Sequence, residues 1–188
     1  MQETMRRSQK ERSDAMRGAL MQAGRKLFVT RGFSGTGTPD IVAAAGVTRG
    51  ALYHHFADKE ALFEAVIRAE AEAVALAVEA ADYTSLAPVD ALIRGGEAFL
   101  TAMQVPGRAR LLLTEAPAAL GLAKLAVIDR ETGARTLVEG LAAAGLHDAA
   151  LAGLLSAAHD RAALAIAQGE AEEPWRAALQ RLVRGAVG

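Results

Sequence analysis

The sequence predicts an all-helical protein, and three observations carry that prediction. Alanine, the strongest helix former, is the commonest residue in a chain of 188, while only 4% of residues are aromatic. Val, Ile, Tyr and Phe, which favour strands, are scarce. Glycines and prolines divide the chain into segments in which apolar residues recur at helical spacing. Apolar residues are 52% of the whole, enough for the core of one compact unit or of a small head fused to a larger body.

Met16, Leu20, Ala23, Leu27 and Phe28 lie on one side of a helix over about 10–31, and Gly32 suits the left-handed position that ends it. Ser34 to Gly37 is a loop by composition. Thr38-Pro39-Asp40 is a helix start, with Thr38 as the hydroxyl cap and Pro39 in the first turn. This second helix stops at Gly46. Thr48 caps a third, Arg49 to His55, and Asp58 a fourth, whose stripe of Leu62, Phe63, Val66 and Ile67 runs on to about residue 81. Two short helices joined by a tight glycine turn, with a longer helix on each side, form a helix-turn-helix. Further helices are expected over 87–104, 107–116, 119–143, 148–168 and 174–185, punctuated by Pro88, Pro106, Pro117, Gly121, Gly145, Gly169 and Pro174.

Charge separates the same two regions. Residues 1–56 carry nine Lys or Arg against four acids, a net +5, and the remainder carries −6, within an overall charge of −1. A basic head on an acidic body suits a nucleic-acid binder, or reflects chance clustering on solvated faces. Arg6, Arg7, Lys10 and Arg12 form either an arm that follows the DNA backbone or enters the minor groove, or a disordered, solubilising tail. The absence of cysteine excludes disulfides and thiolate chemistry. The opening MQETMRRSQKERSD has no signal-peptide core, and no run approaches about 18 continuous apolar residues. A cytoplasmic protein without membrane association is expected. His147 and His159 are the only histidines outside the head, the acids at 170–173 do not converge, and no phosphate loop, dinucleotide turn or H-E-x-x-H occurs. No enzyme, cofactor or metal site is therefore predicted.

The stretch GFSGTGTPDIVAAAGVTRGALYHHFADKEALFEAV (residues 32–66) resembles the DNA-binding domain of the TetR family of bacterial regulators, most specifically in Gly46 to Phe56 and Asp58 to Leu62. The resemblance implies about nine helices per subunit, a homodimer, and repression of a palindromic operator relieved by a small-molecule effector. The alternative is a helical DNA-binding protein without ligand control. The domains expected are an arm and helix-turn-helix at 1–57, a connecting helix at 58–81, and a ligand-binding and dimerisation domain at 82–188. A ligand that favours one spacing of the two heads would act through the connecting helix.

Several side chains take roles in such a protein. Arg49, in the first turn of the third helix, either reads a guanine with its planar fork or holds a phosphate. Gly50 either permits close approach or is simply a tolerated small residue, and Ala51 is a candidate for contact with a thymine methyl. Leu52 and Phe56 belong to the core. By resemblance Tyr53 donates to a phosphate and His54 and His55 touch backbone or base edges. As neighbours these two histidines point about 100° apart, which argues against a metal. Thr38, Thr48 and Lys59 stand at helix N-termini, where phosphate binds. By analogy the effector lies between helices over 87–143, with Phe99, Met103, Leu113, Thr114 and Glu115 as candidate walls. The resemblance places the dimer interface on the last two helices, where Leu151, Leu154, Leu155, Ala158, Ala162, Ala165 and Ile166 form an apolar stripe. The inside of a monomer would satisfy the same stripe.

Overall fold

The computed structural model describes the backbone of residues 2–132 and 134–187 and the side chains of residues 10–132 and 136–187. Among the described residues there are nine helices and no strand. They are α1 (Gln2–Arg31), α2 (Thr38–Ala45), α3 (Arg49–His55), α4 (Lys59–Glu79), α5 (Pro88–Met103), α6 (Arg108–Glu131), α7 (Ala134–Ala143), α8 (Ala149–Ala167) and α9 (Glu172–Val187). Two compact units result, Met1–Ile67 and Arg68–Gly188. The expected connecting helix at 58–81 is thus divided between them, because Leu62, Phe63, Val66 and Ile67 are buried in the head while Val74 and Ala75 are buried in the body.

Leu20, Phe28, Ile41, Leu52, Leu62 and Phe63 are fully buried in the head. Phe28 and Phe63 meet edge to face at 4.9 Å, and Phe33 lies 4.9 Å from Phe63. Such ring pairs add to the gain from burial. The loop after α1 folds onto this cluster. Thr36 is buried and donates to the Gly32 carbonyl at 2.8 Å, and Lys59 Nζ donates to the carbonyls of Phe33 and Thr36 at 2.9 and 3.0 Å. The ammonium also stands 4.1 Å from the Phe33 ring centre, over its negative face.

Two local expectations in the head are corrected. The chain is helical from Gln2, so Lys10 and Arg12 are exposed on α1 and not on an extended arm, and the side chains of Arg6 and Arg7 lie outside the described residues. Thr38 does not cap α2. Gly37 holds that position and Asp40 Oδ2 accepts its N–H at 3.4 Å, which leaves the Thr38 hydroxyl free of capping. Asp58 caps α4 as expected, accepting from the Ala61 N–H at 2.7 Å.

In the body α5 packs against α7, α8 and α9. One core cluster gathers Val74, Leu100, Met103, Ala109, Ala162 and Leu179, and a second gathers Leu92, Leu141, Ala152, Leu155 and Val183. Arg108, part-buried, makes an ion pair with the buried Glu70 at 2.8 Å and donates to the Ala102 carbonyl at 2.7 Å. Arg176 pairs with Glu97 and Glu172 between α5 and α9. The break expected at Pro117 is absent. A π-turn over Leu111–Glu115 carries the Ala116 N–H to the Leu111 carbonyl and absorbs the proline that follows. The helix does bend at Gly121, the other punctuating residue expected there, whose φ of 77° lies in the left-handed region, and the next helix begins at Ala134. Helices α6 and α8 are long and apolar enough to pass as membrane spans. Alanine and leucine, and not a charge-free exterior, give them that composition, and α8 supplies Leu155, Ala162 and Ala165 to the core of the body.

Replacing Lys59 by Met should lower stability by about 1–3 kcal/mol, the value of hydrogen bonds from a charged donor. The check is a lower denaturation midpoint at unchanged slope; an unmoved midpoint would show that the clamp contributes nothing. Burial, and then the neighbouring Asp129 charge, pushes Asp160 from the ordinary 3.8 up to about 6. The folded chain therefore holds this proton more tightly than the unfolded chain, and stability is lost as pH rises through about 6. Asp160→Asn should add about 1–3 kcal/mol at pH 8 and much less at pH 4. An equal gain at both pH values would place the effect elsewhere.

Candidate nucleic-acid interface

The outward face of α3 is set by the two helix ends on either side of it. Gly46, at φ 65°, takes the left-handed turn that closes α2, and the N–H groups of Gly46 and Val47 reach back to the carbonyls of Ala43 and Val42 at 3.3 and 3.1 Å. Thr48 Oγ1 then accepts the Ala51 N–H at 3.2 Å and starts α3. Leu52 and Phe56 turn inward, and the guanidinium of Arg17 on α1 lies 5.2 Å from the Phe56 ring centre. With those two positions committed to the core, helical spacing leaves Arg49, Gly50, Tyr53 and His54 exposed.

Arg49 and Tyr53 are one turn apart, and the guanidinium stands 5.5 Å from the ring centre. Hydrogen bonds from Arg49 first and from the Thr38 side chain second draw the Tyr53 pKa below its ordinary value. The hydroxyl left uncapped at Thr38 thus joins α2 to the surface of α3. A side chain at Gly50 would meet nothing nearer than Thr48 Oγ1 at 3.9 Å. Packing within the chain therefore does not require glycine there. The His54 and His55 rings are 5.1 Å apart at 73°, His54 exposed and His55 half-buried. Ala51 is also half-buried. Among the described residues no three His, Cys, Asp or Glu side chains gather as metal ligands.

The structure brings Thr38, Arg49, Gly50, Tyr53 and His54 onto one surface, with Thr48 exposed at the start of the helix. Lys59 stands at the start of α4 as expected, but two of its N–H groups are spent on loop carbonyls. Sequence reasoning missed this clamp and the Arg17–Phe56 contact. Both join residues far apart in the chain, and no local pattern announces either.

In the body, three of the candidate pocket residues share one core cluster. Met103 is buried, Phe99 and Leu113 pack against the same core, Thr114 is exposed, and Glu115 pairs with Arg110 at 2.9 Å. A cavity of about 10 Å³ lies instead among α5, α8 and α9, with Ile93, Leu100, Leu179 and Val183 as its apolar walls. The expected dimer stripe also needs correction. Leu155, Ala162 and Ala165 are buried within the subunit, and Leu151, Ala158 and Ile166 pack against its cores. The face of α8 that points outward carries Ala150, Gly153, Leu154 and Ala157, with Leu154 70% exposed.

Comparison with known proteins agrees with this geometry. The family model for bacterial regulatory proteins of the tetR family matches residues 20–66. The HTH-type transcriptional regulator AcrR of Shigella flexneri is 40% identical over 62 residues, which are 33% of this chain and 29% of that regulator. The match thus spans under a third of that relative's length. A TetR-family transcriptional regulator from Streptomyces coelicolor superposes with a TM-score of 0.73 at 22% identity, over 93% of this chain and 95% of its own. The TetR-like transcriptional regulator LfrR from Mycobacterium smegmatis, solved in complex with proflavine, superposes with a TM-score of 0.65 at 23% identity, over 90% and 95%. Residues 20–66 thus match the tetR family of bacterial regulatory proteins, and the chain shares the fold of solved TetR-family structures.

Proposed function

We propose that the protein is a DNA-binding transcriptional regulator that represses from a palindromic operator as a homodimer and is released by a small molecule. The observation that carries this reading is the exposed surface of Arg49, Tyr53 and His54 on α3, joined to α2 through Thr38. An α-helix fits the major groove, where each base pair presents a distinct donor and acceptor pattern. Arg49, at the first position of the helix, is placed as base-reading side chains of helix-turn-helix proteins are placed. Its stacking on Tyr53 limits the conformations that the guanidinium loses on binding, so a bidentate contact to guanine costs less entropy. The Tyr53 hydroxyl and the N-terminus of α3 receive phosphates, and Gly50 keeps the helix close to the groove. Lys59 supports this surface from behind.

Two copies would set their α3 helices about 34–36 Å apart, in successive major grooves. The outward face of α8 with Leu182 of α9, which is 46% exposed, is the contact surface that this reading requires. Leu154 and Leu182 are the large apolar side chains there, and Gly153 and Ala157 allow close approach. A small molecule that favours one arrangement of the dimer would shift population away from the DNA-competent one. In the cell such a protein works in the cytoplasm.

Selection from a random duplex pool at moderate salt should recover a palindrome. Arg49→Ala should cost about 1–3 kcal/mol of affinity and relax preference at one base pair in each half-site. An unchanged preference would make Arg49 a phosphate contact, and salt-sensitive binding without any motif would remove the operator reading. Leu154→Arg together with Leu182→Arg should give a folded monomer by sedimentation; a dimer of unchanged mass would put the interface elsewhere.

A further inference from the structure

The cavity among α5, α8 and α9 has one polar atom that the fold leaves without a task. His159 is 8% exposed, and its Nδ1 lies 2.7 Å from the Leu155 carbonyl. A carbonyl only accepts, so Nδ1 carries the proton, and Nε2 of the neutral ring keeps a lone pair. Burial, which lowers the His159 pKa, favours that neutral ring. Among the described residues Nε2 has no hydrogen-bond partner, and no fully buried polar side-chain atom is left unsatisfied. Nε2 therefore opens onto the cavity that His159 lines. Gly96 on α5 makes room for it, since a Cβ there would stand 2.5 Å from Nε2. Phe99, perpendicular to the ring at 6.0 Å, fixes its plane. The other polar groups of the wall are spent on one another, because Glu97 takes both Arg176 and, at 3.1 Å, the Gln180 amide.

We propose that this cavity anchors a small neutral molecule bearing an O–H or N–H donor on a slender aliphatic body, with the donor on His159 Nε2 and the hydrocarbon on Ile93, Leu100, Leu179 and Val183. A cation finds no unpaired negative charge, since Glu97 is already matched by Arg176. An anion meets a lone pair and a carboxylate. At about 10 Å³ the cavity admits one water-sized group. The donor group fits as the walls stand, and the hydrocarbon enters by displacing the α9 side chains Leu179 and Val183. Binding thereby acts on the contact between α9 and α5. This assignment rests on the reading of the body as ligand-responsive, and it names the chemistry of that response.

The test uses n-propanol, n-butanol and n-pentanol as probes, with n-butylammonium and butyrate as charged controls. The full chain, labelled with ¹⁵N at histidine, is titrated while the Nε2 resonance of His159 is followed. Release of the selected duplex is read in parallel by fluorescence anisotropy. A saturable Nε2 shift is expected with the alcohols alone, with affinity rising about fourfold per added methylene. His159→Phe, which keeps a ring against Phe99 but removes the acceptor, should abolish the rise in melting temperature that the alcohols give the unaltered chain. A saturable shift with the duplex still held would uphold the anchoring site and overturn ligand control of DNA binding. A rise in melting temperature with an unmoved Nε2 would overturn the site and leave ligand control standing. An Nε2 resonance indifferent to every probe, with no change in melting temperature, would make the cavity a site for a structural water and overturn the proposal.

Discussion

Lys59 closes the loop between α1 and α2 by giving two ammonium hydrogens to the Phe33 and Thr36 carbonyls, and the exposed surface of α3 depends on that closure. The loop sets where α2 begins, α2 sets the Gly46 turn, and that turn sets which side of α3 faces out. Hydrophobic packing alone would not specify this order. Phe28, Phe33 and Phe63 make the loop sit down, while the carbonyl contacts decide its path. The lysine is a part-buried cation whose acceptors and ring partner all lie within the head.

The body is held by polar contacts laid over an alanine-rich core. Alanine buries little area per residue, so close approach of backbones replaces bulk. Gly140 illustrates the spacing, since a Cβ there would come within 2.8 Å of a Leu92 methyl. Ion pairs then fix which helices meet: Arg108 with Glu70, Arg176 with Glu97, and Arg184 with Asp90 at 3.1 Å. The small hollow beside His159 persists because the side chain opposite it is missing at Gly96.

Much of the head was legible in the sequence because its signals are local. Gly46, Thr48 and Asp58 act on the backbone within three residues of themselves, and each does in the structure what its chemistry suggests. Thr38 was misassigned for an equally local reason, since a threonine before a proline suits a cap, yet Gly37 with Asp40 does that work. Pro117 ordinarily ends a helix, and the π-turn that spares it has no sequence signature. On α8 the apolar stripe was visible but its direction was not. Alanine lies on both faces, and only packing against α5 and α9 decides that Leu155 points in and Leu154 out. The cavity was invisible because it arises from residues on three helices that meet only in the fold.

The most direct test of the account is amide chemical-shift mapping of the labelled protein on a duplex recovered by selection. Perturbation concentrated on Arg49 to His55, with Thr38 moving as Tyr53 takes a new partner, is the predicted result. Perturbation that left α3 unmoved and fell on another surface of the head would contradict it.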